Sequence, residues 1–482
     1  MMTMSFSAHS QKFYINGAWI APAEPCLIDV INPATEASCA QIAMGTSQDV
    51  DHAVSAARSA FSTWSKTSRE ERLALLERIL DIYRLRAEDM AQAISTEMGS
   101  PISRARDSQT WAGMAHTAET IEALRTFVFD EPRDDLLITR EPIGVAALIT
   151  PWNWPMNQIA CKVIPALAAG CTTILKPSEE APLSALVFTQ ILHEAGVPAG
   201  VYNMINGNGP NVGEVLAAHP DVDMVSITGS TRAGAAVARA AASTIKRVQQ
   251  ELGGKSANII LVDANFEDAV QRGVKGCFSN SGQSCDAPTR MLVPHARMAE
   301  AMDIAARTAA GFRLGNPADE MTELGPVVSA KQFERIQKLI NIGIAEGAVL
   351  AAGGEGKPTG LECGYYVKPT VFGHVTPDMT IAQEEIFGPV LSIIGYDDEE
   401  HAIQLANNTE YGLAAYVQSN DLEHARSVAR RLRAGNVNIN GAAWTVKAPF
   451  GGYGQSGNGR ECSDFGIAEY LEIKAIIGYG KV

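Results

Sequence analysis

Cys285 has the most distinctive chemical surroundings of any residue in the chain. It ends the small, polar, glycine-containing segment NSGQSC at residues 280–285, which we expect to open into a helix. A thiol placed there would have its own backbone N–H and a helix N-terminus nearby, and both favour the thiolate. This matters because a free thiol, with a pKa of about 8.5, is only slightly ionised at pH 7. Taken alone, a cysteine in a loop is usually inert, so Cys285 is a candidate nucleophile that needs support from the rest of the sequence.

Seven short blocks in a fixed order surround this cysteine. They are PWNWP at 151–155, KPSE at 176–179, ITGST at 227–231, ELGGK at 251–255, GQSC at 282–285, EEIFGPV at 384–390 and PFGGYGQSGNGRE at 449–461. The blocks span nearly the whole chain, and a chance match of all of them in order is negligible. In these blocks the sequence resembles the aldehyde dehydrogenase superfamily, in its hydrolytic, NAD(P)-dependent form.

The resemblance implies three catalytic residues. Cys285 would attack the aldehyde carbon as thiolate and form a thiohemiacetal. The side-chain amide of Asn153 and the backbone N–H of Cys285 would stabilise the oxyanion. After hydride transfer, Glu251 would act as general base for hydrolysis of the thioester, with a pKa raised by partial desolvation beside Leu252. From the residues alone, Asn153 is also a helix cap and Glu251 also a solvated charge.

The cofactor expected from the resemblance is NAD, although no G-x-G-x-x-G fingerprint is present. Gly229 and Ser230 follow an apolar run and open a helical one, so backbone N–H groups there can face a pyrophosphate. Glu179 would accept hydrogen bonds from ribose hydroxyls and repel a 2′-phosphate, which favours NAD over NADP. Phe387 remains open to a simple packing role. The implied cofactor residues are Trp152, Lys176, Ser178, Glu179, Gly209, Gly213, Gly229, Ser230, Gly234, Leu252, Glu385 and Phe387.

The substrate pocket is less well defined by the resemblance. The residues implied are Trp154, Gln158, Cys161, Ser279, Ser284, Asp286, Trp444 and Phe450. Position 161 holds neither the tryptophan of several betaine aldehyde enzymes nor the arginine of succinic semialdehyde enzymes. No aromatic site for a cation and no basic site for a carboxylate is evident, so betaine aldehyde and succinic semialdehyde are both disfavoured as substrates. Asp286 either opposes an anionic tail or caps the following helix, and Trp444 with Phe450 suggests an apolar or aromatic aldehyde.

Gly454 stands where many members of the family have lysine, so the loop around it is expected to differ from theirs. Two other functions stay open. Members that transfer the acyl group to CoA usually lack the glutamate found here as Glu251, which favours hydrolysis. A catalytically silent member acting as a binding or structural protein is disfavoured because Cys285, Glu251 and Asn153 are all retained.

The elements that must position these residues form an α/β pattern. Short apolar runs at 145–149, 172–175 and 224–227 alternate with helical stretches, which predicts a parallel sheet covered on both faces. The pattern restarts at 257–262 and continues to about residue 440. Before it, apolar residues at helical spacing predict one helix from Val50 to Trp64, capped by Thr46 or Ser47, and a second helix from Leu73 to Leu80.

The implied fold is a Rossmann-like nucleotide domain, an α/β catalytic domain and a small β arm. The arm would pair with another subunit to give a homodimer or homotetramer. The predicted boundaries are 1–123 and 143–252 for the NAD-binding domain, 253–468 for the catalytic domain, and 124–142 with 469–482 for the oligomerisation arm.

Composition narrows the class of partner. The formal net charge of −15 disfavours nucleic acid and anionic membranes, which leaves a small-molecule aldehyde as the expected partner. The uncharged stretch 142–161 contains three prolines and is interpreted as a buried strand and loop.

Eight scattered cysteines without a C-x-x-C pair indicate neither disulfides nor a metal site and fit a cytoplasmic protein. The N-terminus lacks the features of a signal peptide.

Overall fold

Two layered α/β units and a small antiparallel sheet make up the protein in the computed structural model, which describes residues 9–480. Residues 1–8, where no signal peptide is predicted, and residues 481–482, at the end of the predicted arm, lie outside the described part. The predicted α/β class with parallel sheets is confirmed. Within the described residues, no helix has the length and apolar character needed to cross a bilayer.

The strands are β1 (Phe13–Ile15), β2 (Ala18–Ile20), β3 (Leu27–Asn32), β4 (Ala37–Ala43), β5 (Asp130–Arg133), β6 (Leu136–Pro142), β7 (Val145–Ile149), β8 (Thr172–Lys176), β9 (Tyr202–Met204), β10 (Met224–Thr228), β11 (Arg247–Glu251), β12 (Ala257–Ile260), β13 (Arg290–Pro294), β14 (Val349–Ala352), β15 (Thr370–Gly373), β16 (Val390–Tyr396), β17 (Ala414–Gln418), β18 (Asn436–Ile439), β19 (Gly457–Asn458) and β20 (Leu471–Ile477).

The α-helices are α1 (Ser47–Trp64), α2 (Arg69–Leu85), α3 (Ala87–Met98), α4 (Ile102–Arg104), α5 (Trp111–Thr126), α6 (Pro155–Ala169), α7 (Pro182–Glu194), α8 (Glu214–Ala218), α9 (Thr231–Ala241), α10 (Phe266–Phe278), α11 (Met298–Ala310), α12 (Ala330–Ala345), α13 (Thr380–Gln383), α14 (Glu399–Asn407), α15 (Leu422–Ala429) and α16 (Ser463–Glu469). Both helices predicted in the first third are present, and Thr46 occupies the N-cap position of α1.

The first sheet has the strand order β19-β11-β10-β7-β8-β9-β1-β2, and strands β7 to β11 run parallel. Alternate residues of β7 enter opposite cores, because side chains of a strand point to its two faces in turn. Ala146 and Leu148 pack with α2, α3, α6 and α7, whereas Val145, Ala147 and Ile149 pack with α1 and α8. Burial on both faces explains why these strands are short, continuous apolar runs.

The connections of this sheet create a crevice. From β7 the chain moves outward to β8 and β9, and then returns to β10 and β11 on the other side of β7. Loops leaving β7 and β10 therefore diverge at the carboxyl edge, which is where parallel sheets bind ligands. The uncharged stretch 142–161 supplies β7 and the following loop as predicted, but α6 begins at Pro155. A proline is compatible with the first position of a helix.

The second sheet has the order β14-β15-β16-β13-β12-β17-β18, all parallel except β14. Helices α10 and α11 cover one face, and α12 to α15 cover the other. The two units share a border, because β19 comes from the predicted catalytic domain and pairs with β11 of the first sheet. The predicted domain boundaries remain a prediction.

The third sheet joins distant parts of the chain in the order β20-β6-β5. All its pairings are antiparallel, with Leu471 opposite Pro142 and Ile477 opposite Leu136. Only Leu471 of β20 is buried, and the other six residues of the strand are exposed. The segments assigned to the arm thus form one small sheet with an open edge strand.

Candidate active site

The loop that carries Cys285 has an unusual backbone. After α10, Asn280 and Ser281 both adopt left-handed conformations with φ of 55°, and Gly282 follows with φ of 73°. A Cβ atom on Gly282 would lie 2.0 Å from the carbonyl oxygen of Gly388, so only glycine fits there. The loop therefore packs closely against the backbone at Gly388, and Cys285 lies at the end of this loop.

No helix follows Cys285, so the predicted helix is wrong. Residues 283–289 form a turn and an irregular stretch that lead into β13. Pro288 gives the physical reason, since it lacks an N–H and disfavours helical backbone at the residue before it. The interpretation of Asp286 as a helix cap is also wrong. No helix N-terminus after Cys285 is available to stabilise its thiolate.

The protein surroundings of the Cys285 thiol favour its neutral form. Burial raises the pKa of the Cys285 thiol well above its ordinary value, and the Glu251 carboxylate raises the pKa further, followed by Asp286 and Glu385. The predicted stabilisation of the thiolate by a helix N-terminus is therefore wrong, and a contribution from the backbone N–H of Cys285 stays a prediction. The side chain nevertheless remains partly open to a cavity.

Asn153 is fixed beside this loop. It is buried between β7 and α6, and its side-chain Nδ2 donates to the backbone oxygen of Gln283 at 3.1 Å. The next residue, Trp154, donates from its indole to Ser284 Oγ at 2.7 Å. Asn153 does not cap α6, whose N-cap position is Trp154. One of the two amide hydrogens of Asn153 is used by Gln283, and the other has no acceptor within residues 9–480.

Glu251 is the last residue of β11 and is 2% exposed. Neither of its carboxylate oxygens has a hydrogen-bond partner within the described part of the chain. Burial raises the pKa of Glu251 well above its ordinary value, and the negative charge of Glu461 raises the pKa further. The alternative of a solvated charge is thus excluded, because this carboxyl group is buried and its pKa is raised.

A buried ion pair beside Glu251 was not found by sequence reasoning. Lys162 of α6 pairs with Glu461, and the Lys162 ammonium also donates to Ser226 Oγ at 3.0 Å. Cys161 donates from its thiol to Glu461 at 3.2 Å. The available signal was a single lysine inside the apolar sequence of α6, since such a charge needs a buried partner.

Several of the cofactor residues predicted from the sequence lie along the carboxyl edge of the first sheet. Lys176 at the end of β8 is buried, and its ammonium contacts Glu179 at 3.2 Å. Ser230 caps α9 by accepting the backbone N–H of Ala233 at 3.2 Å. A Cβ on Gly213 would lie 3.9 Å from Cδ of Lys176, so this glycine borders the same crevice. Ser178 and Gly229 lie on the same two loops, and Gly209 begins the short turn that ends at Gly213.

The other predicted cofactor residues connect this crevice with the catalytic residues. A Cβ on Gly234 would lie 2.6 Å from Leu252, so the glycine lets α9 pack against the residue next to Glu251. Glu385 accepts the backbone N–H of Gly254 at 3.0 Å, and burial raises the pKa of Glu385 to about 7. The rings of Trp152 and Phe387 meet edge to face, with centroids 5.3 Å apart.

A cavity of about 720 Å³ opens onto Cys285. All the residues predicted for the substrate pocket line it, namely Trp154, Gln158, Cys161, Ser279, Ser284, Asp286, Trp444 and Phe450. Sequence reasoning missed the wall supplied by residues 104–116, which includes Arg104, Trp111 and His116. No motif marks that segment. Trp444 stacks edge to face against both Trp111 and His116.

The position of Gly454 is sterically restricted, and whether its loop differs from that of other family members stays a prediction. Gly454 has φ of 56°, and a Cβ there would lie 2.6 Å from the backbone oxygen of Glu410. A lysine at this position would be strained, which accounts for the glycine.

A family model described as the aldehyde dehydrogenase family matches residues 19–476. The chain belongs to the aldehyde dehydrogenase family. The resemblance seen in the sequence is thereby confirmed, and the protein is an oxidoreductase of this type. Its Rossmann-like first unit and α/β second unit are those of solved aldehyde dehydrogenases.

Relatives support the assignment along the whole chain. The chain is 53% identical to a 3-succinoylsemialdehyde-pyridine dehydrogenase of a Pseudomonas species, over 97% of the chain and 98% of the relative. It superimposes with a TM-score of 0.98 on a mutant of aldehyde dehydrogenase C from Pseudomonas syringae in complex with NAD+ and octanal. The identity there is 55%, over 99% of this chain and 98% of that one. A betaine aldehyde dehydrogenase of Staphylococcus aureus in complex with NAD+ gives a TM-score of 0.94 at 36% identity, over 98% of both chains.

Proposed function

We propose that this aldehyde dehydrogenase oxidises an aldehyde to a free carboxylic acid through a thioester on Cys285, with NAD as hydride acceptor. The observation that supports this most directly is the convergence of three groups. The thiol of Cys285 opens onto the cavity, and the amide of Asn153 is hydrogen-bonded to the same loop. The carboxylate of Glu251 interacts with the thiol and has no other hydrogen-bond partner among the described residues.

The first step joins the thiolate sulfur of Cys285 to the aldehyde carbon, and the C=O electron pair moves to oxygen. The thiol loses its proton to water in the cavity, to which the side chain is open. The free amide hydrogen of Asn153 and the backbone N–H of Cys285 stabilise the oxyanion. Donors fixed before the reaction lower the barrier because they need no reorganisation.

NAD supplies the hydride acceptor when bound, together with a positive ring charge that favours the thiolate. The carboxyl edge of the first sheet fits such a dinucleotide. The N-terminus of α9, at Gly229 and Ser230, presents backbone N–H groups suited to a pyrophosphate. The buried hydroxyl of Thr228 just before them lacks a hydrogen-bond partner within residues 9–480. Glu179 accepts hydrogen bonds from the ribose hydroxyls and repels a 2′-phosphate, so NAD is preferred to NADP.

Glu251 acts in the second half of the reaction. It takes a proton from water as the water oxygen bonds to the thioester carbon. The C–S bond then breaks to release the acid and the Cys285 thiolate, which takes the proton back from the neighbouring Glu251. A buried carboxylate with a raised pKa is a stronger base than a solvated one, and it has no competing partner. Its presence supports hydrolysis over transfer of the acyl group to CoA.

The experiment is an aldehyde panel assayed for NADH formation with NAD and NADP side by side, with and without CoA. Cys285→Ala is expected to abolish turnover while NAD binding survives. The matched control is Cys26→Ala, because Cys26 is an exposed cysteine, and this variant is expected to behave as wild type. Turnover by Cys285→Ala would show that the nucleophile is misassigned, and acyl-CoA formation would overturn the hydrolytic assignment.

We also propose that the third sheet assembles subunits into a homodimer or homotetramer. Its edge strand β20 exposes Ile473 by 70% and Ile477 by 83%, on the same side of the strand. An exposed apolar edge strand is a template for pairing with another chain. Replacing both isoleucines with lysine should reduce the mass measured by light scattering. An unchanged mass would contradict assembly through this strand.

A further inference from the structure

Arg104 places a guanidinium group in the wall of the cavity that contains Cys285. It is the last residue of α4, and its Nη1 donates to Ser279 Oγ at 2.8 Å. Its Nε is buried without an acceptor. Within residues 9–480, no carboxylate lies within ion-pair distance of Arg104. The guanidinium therefore keeps most of its N–H donors unused.

Arg106, two residues further along, differs from Arg104 in having carboxylate partners. Arg106 is paired with Glu88 at 2.8 Å and with Glu320 at 2.5 Å on the surface. The Arg104 guanidinium is largely buried without a carboxylate partner, and this burial lowers the pKa of Arg104. Removing a cation from water is unfavourable unless an acceptor compensates. A ligand in the cavity is the natural source of that acceptor.

The remaining charges of the cavity do not satisfy Arg104. The other charged lining residues are Arg272, Lys275, Asp107, Asp286 and Glu461. Glu461 is engaged by Lys162, and Asp107 is exposed. Burial raises the pKa of Asp286, and Asp286 forms no ion pair with Arg104 in the described part of the chain.

Two more cations line the same cavity. Arg272 is already paired with Asp268, whereas Lys275 makes no ion pair in the described part of the chain. Three cations, Arg104, Arg272 and Lys275, thus line one cavity of a protein whose net charge is −15. Its electrostatics therefore suit an anionic group.

We propose that Arg104 binds a carboxylate at the far end of the aldehyde, so that ω-oxo carboxylates are preferred substrates. This inference rests on the proposed function. Guanidinium groups bind carboxylates through paired hydrogen bonds, and the contact with Ser279 fixes the orientation of this one. Sequence analysis disfavoured a carboxylate clamp because position 161, on α6, holds a cysteine where succinic semialdehyde enzymes have arginine. The cation instead comes from α4, on another wall of the cavity.

The test compares ω-oxo carboxylates of increasing length with their methyl esters and with the corresponding alkanals. For the wild type we expect the acid with the best-fitting length to exceed its ester in kcat/KM by roughly 10- to 100-fold. That range corresponds to a hydrogen bond with a charged group. Arg104→Gln should reduce this acid-to-ester ratio by a similar factor, mainly through KM.

Arg106→Gln is the matched control and should leave the ratio unchanged. Arg104→Lys keeps the positive charge but cannot form the paired hydrogen bonds of a guanidinium, so it should recover part of the acid-to-ester ratio. This variant also tests the proposal if Arg104→Gln folds poorly. Esters or alkanals preferred over acids, or a ratio unaffected by both Arg104 variants, would overturn the role of Arg104. Absence of turnover with every aldehyde would instead overturn the proposed function.

Discussion

Truncation of Asn153 tests the oxyanion site. The side-chain amide has two hydrogens, and one is fixed on the backbone oxygen of Gln283 at 3.1 Å. The other is the proposed donor to the oxyanion. Asn153→Ala removes both and leaves the second proposed donor, the backbone N–H of Cys285, in place. Loss of one such donor lowers kcat by about 10²- to 10³-fold, or about 2.7–4 kcal/mol.

The lost contact with Gln283 contributes less. An ordinary hydrogen bond adds about 0.5–1.5 kcal/mol to stability, so disturbance of the loop alone should lower kcat by about tenfold or less. Gln109→Ala measures this part separately. Gln109 donates to the backbone oxygen of Asn153 at 3.1 Å and to Asn280 Oδ1 at 3.3 Å, so it holds the same loop from behind.

The assay is steady-state NADH formation at saturating aldehyde and NAD, with thermal melting to verify folding. We expect Asn153→Ala to lose at least ten times more kcat than Gln109→Ala, with a small change in KM. The reasoning would be refuted if the two variants lost kcat equally. It would also be refuted if Asn153→Ala changed only KM.

Two further predictions follow from the charges of the site. Glu179→Ala should raise the ratio of kcat/KM for NADP to that for NAD at least about tenfold, because two charges about 4 Å apart near a surface interact by about 4 kcal/mol; an unchanged ratio would remove Glu179 from cofactor selection. Glu251→Gln should melt at the same temperature as wild type near pH 4 and progressively higher towards pH 7. Because folding raises the pKa of Glu251, the wild type loses stability as the pH rises above the unfolded value of about 4.3, whereas glutamine does not titrate. A melting difference independent of pH would contradict this.

The sequence predicted the framework of the first sheet well, because β7, β8 and β10 are apolar runs that only a doubly covered sheet can bury. Motif context also singled out Glu251 and Asn153, and both lie near the Cys285 loop. These positions follow strands whose carboxyl ends must meet at one edge, so their proximity depends on topology.

The sequence-based predictions that were wrong or missing concern features set by local backbone geometry and by tertiary contacts. The segment after Cys285 was expected to be helical, but Pro288 and three consecutive left-handed residues at 280–282 give a turn instead. The thiol pKa depends on burial and on Glu251, which is 34 residues away in sequence and adjacent only in the fold. Arg104 and the Lys162–Glu461 pair were missed for the same reason. Tertiary contacts between segments without a motif leave no periodic signal.

Direct detection of the acyl-enzyme tests the central claim that the reaction passes through Cys285 and is completed by Glu251. Glu251→Gln is mixed with NAD and an aldehyde, quenched with acid, digested and analysed by mass spectrometry. We predict a burst of NADH and an acyl group on the peptide that contains Cys285, because the thioester forms but is not hydrolysed. NADH formation with an unmodified Cys285 peptide would contradict the mechanism.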